Sequence, residues 1–401
     1  MQATFVSCAL ALCLASADDP TPFFDARQHQ SEYAGPGRDN PPPTDLSEIA
    51  VGYFGPADPG DPRAGDMWRA AELAVEEANG NGGFQGTPFR LVAAWSRDPW
   101  DAAVKQLTEL VFRHHVWAIV GGADSASSHL AEQVVAKARV PLICPVSSDK
   151  TVNLANVPWT FSVVPGDQRL APLLAEAVAQ HPRPLTVVRL LTEDHDSRLF
   201  SSELDRALLR RDLAVKYEFV VPTRNDGTVV AQALDTGPDM VLVIAGPADS
   251  ARVVTQLRSH GFAGPILGGP ALGRRQFLLA AADAADGILF PLLYQPQDNP
   301  SDFAERFRQR FGYDPDYSAA HTFDAVRLTL TAIRKAGLNR ARIRDAIAGL
   351  GPYTGVTGNI VWDGLGSNTR SAQLGTIREG RVQSVVALRD LPLSQLRSVP
   401  P

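Results

Sequence analysis

The chain has 401 residues, 44% of them hydrophobic and 20% charged, which at ~150 residues per domain suffices for two to three domains with full-sized cores. That composition excludes wholesale disorder and fibrous repeats. Lys+Arg 38 against Asp+Glu 44 leave a net charge of −6 and no long basic run, so the electrostatic footprint of a nucleic-acid partner is missing and no such partner is expected.

Residues 1–17 are the one extended apolar stretch without charge, and they end in Ala15-Ser16-Ala17, an A-x-A cleavage pattern. They read as a secretory signal peptide, although no Lys or Arg precedes the apolar run, and place the chain in the periplasm or another extracytoplasmic compartment. Lipidation at Cys13 is the weaker alternative, because Leu12 stands where a small residue is required. With Cys8 and Cys13 inside this stretch, processing leaves Cys144 alone, which rules out an intramolecular disulfide and a CxxC-type metal site. Residues 18–46 carry Gly35-Pro36-Gly37 and Pro41-Pro42-Pro43 with little apolar periodicity, the composition of a disordered linker.

From Ile49 onward short apolar runs alternate with amphipathic segments of helical length, the signature of βαβ units and mainly parallel sheets. The first run, 49–54, precedes a helix whose Met67, Ala70, Ala71, Ala74, Val75 and Ala78 keep helical spacing until Asn79-Gly80 stops it. A strand at 89–95, a helix opened by Asp98-Pro99-Trp100-Asp101, a strand at 116–120, a helix at 125–138 and strands at 140–144 and 159–163 complete one block. The alternation then repeats: helix 167–180, strand 185–191, helix 197–211, strand 214–220, helix 228–235, strand 240–245, helix 248–260, strand 265–268 and a helix near 273–284. Beyond an apolar run at 287–293 come helices at 300–311, 318–336 and 340–349, then short strands around 358–362, 373–378 and 382–388, with a frayed tail.

Most motifs of enzymatic chemistry fail in this context. The glycines of Gly80-x-Gly82-Gly83-x-x-Gly86 close a helix and precede a strand, the reverse of what a pyrophosphate loop requires, so they form a helix C-cap and turn. His114-His115 and Glu193-Asp194-His195-Asp196 contain metal-ligand residue types without a recognisable ligand spacing, so no metal and no cofactor is expected. There is neither a G-x-S-x-G elbow nor a P-loop. What remains are serine-rich loops at the carboxyl ends of two consecutive strands, where open α/β sheets place their ligands: Ser125, Ser127 and Ser128 in one, Ser147 and Ser148 in the other. Helix-terminal N–H groups and hydroxyls there suit an anion. Serine is equally a cap and turn former, and on physics alone both readings stand.

Several segments in order and spacing resemble type I periplasmic binding proteins of the branched-chain amino-acid (leucine/isoleucine/valine) class, the receptors of ABC importers. They are Gly65 with Ala71-Glu72-Leu73-Ala74-Val75-Glu76-Glu77-Ala78-Asn79 and Gly82-Gly83-Phe84-Gln85-Gly86, then Arg97-Asp98-Pro99-Trp100-Asp101-Ala102-Ala103 and Val120-Gly121-Gly122. Val140-Pro141-Leu142-Ile143, Pro165-Gly166-Asp167-Gln168, Phe323-Asp324-Ala325-Val326 and Thr357-Gly358-Asn359-Ile360-Val361-Trp362-Asp363 follow.

The resemblance implies an α/β fold of two Rossmann-like lobes with mainly parallel sheets, joined by a three-strand hinge that crosses near 164, 291 and 355. Lobe 1 is then 47–164 plus 292–355 and lobe 2 is 165–291 plus 356–390, with 391–401 as tail. It further implies a monomer that binds a small amino-acid or carboxylate ligand by hinge closure and presents it to a membrane permease. In that family the ligand carboxylate is held at positions matching Ser125, Ser147 and Ser148. The second-lobe positions that bind an ammonium group match Gly246 and Pro270, which offer no side-chain acceptor, while the usual aromatic-Gly pair reads His195-Asp196 and a shielding tryptophan matches Ala64. An ammonium would therefore need Asp194, Asp196 or Asp249 as substitute. Two other readings are a ligand-sensing regulatory protein of the same fold and, further off, a cleft enzyme using His195 with Asp194 or Asp196.

Overall fold

The structure is a computed structural model, and it describes residues 32–96, 101–183, 185–222, 227–296 and 301–385. The apolar run β1 (Ile49–Phe54) is buried on both faces, as a central strand of a parallel sheet must be. It lies between β2 (Phe89–Ala94) and β3 (Ile119–Gly121), and β4 (Leu142–Cys144) and β5 (Thr160–Ser162) extend the sheet in the order β2-β1-β3-β4-β5. All its pairings are parallel. Between the strands run α1 (Gly65–Gly80), α2 (Asp101–Phe112), α3 (Ser125–Ala138) and the single turn α4 (Thr151–Leu154). The glycines after α1 act as a C-cap and turn: Gly83 donates to the Ala78 carbonyl at 2.9 Å with φ +61. A Cβ there would stand 2.3 Å from the Thr87 carbonyl oxygen, so only glycine fits.

The second sheet is built from β6 (Val187–Leu191), β7 (Tyr217–Val220), β8 (Met240–Ile244), β9 (Ile266–Gly268) and β10 (Leu289–Leu292). Its helices are α5 (Asp167–Ala179), α6 (His195–Leu209), α7 (Thr228–Asp235), α8 (Pro247–Ser259) and α9 (Arg275–Ala281). The chain then returns to the first lobe as α10 (Phe303–Phe311), α11 (Tyr317–Ala336) and α12 (Arg340–Ala348), and the hairpin β11 (Tyr353–Gly355) and β12 (Gly358–Ile360) follows. Finally β13 (Gln373–Arg378) and β14 (Arg381–Ser384) add antiparallel to the second sheet, giving β14-β13-β10-β9-β8-β6-β7.

Each lobe buries an apolar cluster on either face of its sheet, closed by helices. In the first, Val51, Val120 and Phe161 of the sheet pack with Phe303, Phe323, Val326 and Ile343 of the returning helices. In the second, Leu170, Leu204, Leu242 and Leu289 pack with Leu374 of the last antiparallel ribbon. The chain changes core between Val163 and Val164 and again between Leu293 and Tyr294.

The third crossing is not near 355. Val356 and Ile360 are still in the first core, with Trp362 packed against it, and only Ala372 and Leu374 join the second. The reason is the buried carboxylate of Asp324, which accepts from Val356 N at 2.7 Å and from Thr357 N at 2.8 Å and ties the hairpin to α11. The crossing at 363–371 is bound to the other two: Asn368 Nδ2 donates to the Val163 carbonyl at 2.6 Å, and Arg370 Nη2 to the Leu293 carbonyl at 3.0 Å.

The linker expectation needs a second correction. Residues 32–40 dock on the first lobe, with Tyr33 N donating to Asp345 Oδ1 at 3.1 Å and the Tyr33 ring edge-on to Trp159 at 4.8 Å. Asn339 Nδ2 reaches the carbonyls of Gly37, Arg38 and Asn40, each at 3.0 Å. Composition is blind to these partners, which lie far along the chain. The proposed signal peptide, residues 18–31, the Asp98-Pro99-Trp100 helix start and the tail lie outside the described residues.

Candidate functional site

At the carboxyl end of β3 the chain turns into α3 through Gly121 and Gly122. The Gly122 N–H donates to the Phe54 carbonyl at 2.9 Å, and a Cβ on Gly121 would come within 2.3 Å of that oxygen, so the loop hugs the end of β1. Asp124 caps α3: its Oδ1 accepts from Ser127 N at 2.8 Å, and Ser127 Oγ accepts from Asp124 N at 3.2 Å. Ser128 Oγ donates to the Asp124 carbonyl at 2.9 Å. Ser127 therefore completes a capping box with Asp124, while the Ser128 hydroxyl is spent on a carbonyl one turn back.

Ser125 is different. Its N–H, free of the helix ladder, donates to both carboxylate oxygens of Asp196 at 3.3 Å each. Asp196 is in the first turn of α6, in the opposite lobe. The position expected to hold a ligand carboxylate is thus taken by a carboxylate of the protein itself, attracted by the same unpaired N–H and dipole. Burial pushes the Asp196 pKa up to about 6, with Asp124 and Asp194 adding like charge and Ser125 opposing.

The second loop divides its serines. Ser147 is buried with an Oγ that has no hydrogen-bond partner among the described residues, and it does not line the cleft. Ser148 does, while its carbonyl accepts from Asp167 N at 2.7 Å at the first crossing.

Between the lobes lies a cavity of about 350 Å3. The first lobe supplies Trp95, Asp124, Ser148 and Tyr317, and the second Asp194, Asp196, Phe200, Gly246, Pro270 and Arg274. Arg274 is the buried cation of this wall. Its Nε donates to Asp316 Oδ2 at 3.0 Å, a second nitrogen reaches the Arg63 carbonyl, and the guanidinium lies 5.6 Å from the centre of the Tyr317 ring. Asp316 caps α11, accepting from Ser318 N at 2.9 Å and Ala319 N at 3.1 Å. Burial alone would raise its carboxyl, but Arg274 and these donors outweigh it and hold the pKa below the usual value. The pair joins the lobes, as does Asp66 with Arg275 Nε at 2.8 Å. The lobes are in contact on both flanks of the cavity.

Of the residues expected from sequence, Ser148, Asp194, Gly246 and Pro270 come together on the cavity wall. Asp194 is spent as a cap: it accepts from Ser197 N at 3.0 Å, from Ser197 Oγ at 2.7 Å and from Thr192 Oγ1. Gly246 is the N-cap of α8 and Pro270 opens a 3-10 turn. Asp249 also lines the cavity, paired with Arg252 at 2.7 Å. Ala64 lines it too, and Trp95 and Phe200 supply its aromatic surface.

His195 does not face the cavity. Its Nε2 bonds Asp149 Oδ2 at 3.1 Å, and among the described residues it pairs with neither Asp194 nor Asp196, so the acid–base pair considered from sequence is not formed. Sequence reasoning missed Arg274, Tyr317, Trp95 and Phe200. Trp95 and Arg274 left a signal: they follow β2 and β9, at the strand-end positions where open sheets place ligand groups.

The family model for periplasmic binding proteins matches residues 49–381. An amino acid binding protein of Pseudomonas aeruginosa is 23% identical over 333 residues, 80% of this chain and 87% of that protein. The isoleucine complex of the branched-chain amino acid transporter substrate binding protein LivJ from Streptococcus pneumoniae superposes with a TM-score of 0.76 at 22% identity, covering 84% of this chain and 99% of that one. A solute binding protein of an ABC transporter from R. palustris, in complex with benzoate, gives 0.74 at 16% identity, over 84% of this chain and 95% of that one. Two α/β lobes around a shared cleft agree with these likenesses, and the chain belongs to the periplasmic binding protein family.

Proposed function

We propose that the chain is an extracytoplasmic solute-binding protein that captures a small amino-acid-like or carboxylate ligand between its lobes and presents the closed form to the permease of an ABC transporter. The observation that carries this reading is the cavity of about 350 Å3 with walls from both lobes, a volume within the ordinary range for small-molecule sites. A cavity shared in this way couples capture to closure, because the ligand binds fully only when both walls meet.

The ligand carboxylate takes the α3 N-terminus, displacing Asp196 from Ser125 N, and gains the Ser148 hydroxyl. Isoleucine and benzoate, held by the two structural relatives, share only a carboxylate among their charged groups, which supports that assignment. Trp95, Phe200 and Tyr317 cover the ligand's apolar part. The lobe boundaries follow the three crossings, and residues 1–17 act as the export signal, so the secreted chain starts after Ala17.

A thermal-shift screen against amino acids, short-chain carboxylates and aromatic acids tests the proposal. A ligand at 100 times its Kd adds about 2.7 kcal/mol, a readily visible shift. Silence across the panel rejects the small-carboxylate reading.

A further inference from the structure

We propose that His129, Asp149 and His195 form a binding site for a first-row divalent transition-metal ion, complete only when the two lobes are closed. His129 Nε2 lies 2.7 Å and His195 Nε2 3.1 Å from the same atom, Asp149 Oδ2. The three candidate donor atoms all lie within 4.8 Å of one another. With metal–nitrogen bonds of about 2.0–2.1 Å, the edge of a tetrahedral site is about 3.3 Å, so a small outward shift of the two rings admits an ion in place of the shared protons. The rings meet edge-on at 79° and so approach the carboxylate from different directions.

The surroundings are arranged as for ligation. Glu132 Oε2 stands 3.2 Å from His129 Nδ1, the outer carboxylate that typically fixes the tautomer and orientation of a metal-bound imidazole. Asp149 Oδ1 accepts from Thr151 N at 2.8 Å, which locks the carboxylate's plane. Two imidazoles and a carboxylate favour zinc-like ions over calcium or magnesium, which take oxygen ligands.

His129 is on α3 and Asp149 follows β4, both in the first lobe, whereas His195 opens α6 in the second. An ion bound by all three therefore bridges the cleft and favours the closed arrangement, independently of what the cavity holds.

The test is isothermal titration of the tag-free, chelator-dialysed chain with zinc chloride, with His129→Ala, His195→Ala and the more conservative His195→Gln. The expected result is one ion per chain and at least tenfold weaker binding in each variant, with a His114→Ala/His115→Ala control unchanged. His195 has a side chain 37% exposed, so His195→Gln keeps the fold even if His129→Ala does not. No saturable zinc binding by the parent, or binding that His195→Gln leaves intact, overturns the proposal.

Discussion

Asp196→Ala reports on the carboxylate site through the sign of its effect. In the parent protein this side chain occupies Ser125 N with two contacts of 3.3 Å, long for charge-assisted hydrogen bonds and therefore at the low end of about 1.5–3 kcal/mol. A ligand carboxylate must displace it. Removing the competitor should tighten binding of a carboxylate solute by about 1.5 kcal/mol, or about tenfold in Kd.

The effect depends on pH. Because burial raises the folded-state pKa of Asp196 to about 6, the folded chain binds that proton more tightly than the unfolded one. Its contribution to stability is thus greatest at low pH and falls as pH rises from the ordinary aspartate range through about 6. At pH 7 the penalty is at most about 3 kcal/mol, from a shift of about two pH units. Two outcomes follow. Parent affinity for a carboxylate should rise between pH 7 and pH 5, and the variant should show a flatter profile. The melting temperature of the variant relative to the parent should climb with pH over the same range. Titration calorimetry and thermal melts at three pH values measure both. Weaker carboxylate binding in Asp196→Ala at pH 7 would refute the displacement argument, because it would mean that Asp196 helps to hold the ligand.

Ser148→Ala should weaken ligand binding ten- to hundredfold by removing one charge-assisted hydrogen bond in a closed cleft, whereas Ser147→Ala, deleting a buried hydroxyl that has no partner among the described residues, should leave Kd unchanged and the melting temperature equal or higher; calorimetry and melts on both decide. Arg274→Ala strands the buried Asp316 carboxylate and should cost about 3–5 kcal/mol in denaturant unfolding, and a loss under about 1 kcal/mol would show that the pair is solvated. In Gly355→Ala the new Cβ would lie 2.3 Å from Asp324 Oδ2, so the hairpin anchor should break and the unfolding midpoint drop, while zinc titration stays as in the parent.

Local pattern carried much of the architecture. Residues 125–138 read as a helix and α3 spans Ser125–Ala138; the glycines after Asn79 read as a cap and turn and make one. What failed depended on distant partners. The hairpin at 353–360 stays with the first lobe because Asp324 binds its backbone, and no periodicity encodes that. Ser147 and Ser148 are adjacent and chemically identical, yet one is buried and the other lines the cleft, which no local pattern distinguishes. His195 sits 46 residues from Asp149, so their pairing exists only once the lobes meet. Part of the aromatic wall was invisible for the same reason: Phe200 and Tyr317 each look like ordinary helix residues in their own elements.

The central claim, that a solute is captured between the lobes, is tested most directly by blocking the cavity. Gly246 lines it with an ordinary φ of −61, and a Cβ built there meets nothing within 4 Å, so Gly246→Trp fills the space without straining the backbone. Calorimetric titration of parent and variant with the amino-acid and carboxylate panel should show saturable one-to-one binding by the parent, and at least a hundredfold loss in the variant at an unchanged melting temperature. An unchanged Kd in Gly246→Trp would contradict capture in this cleft.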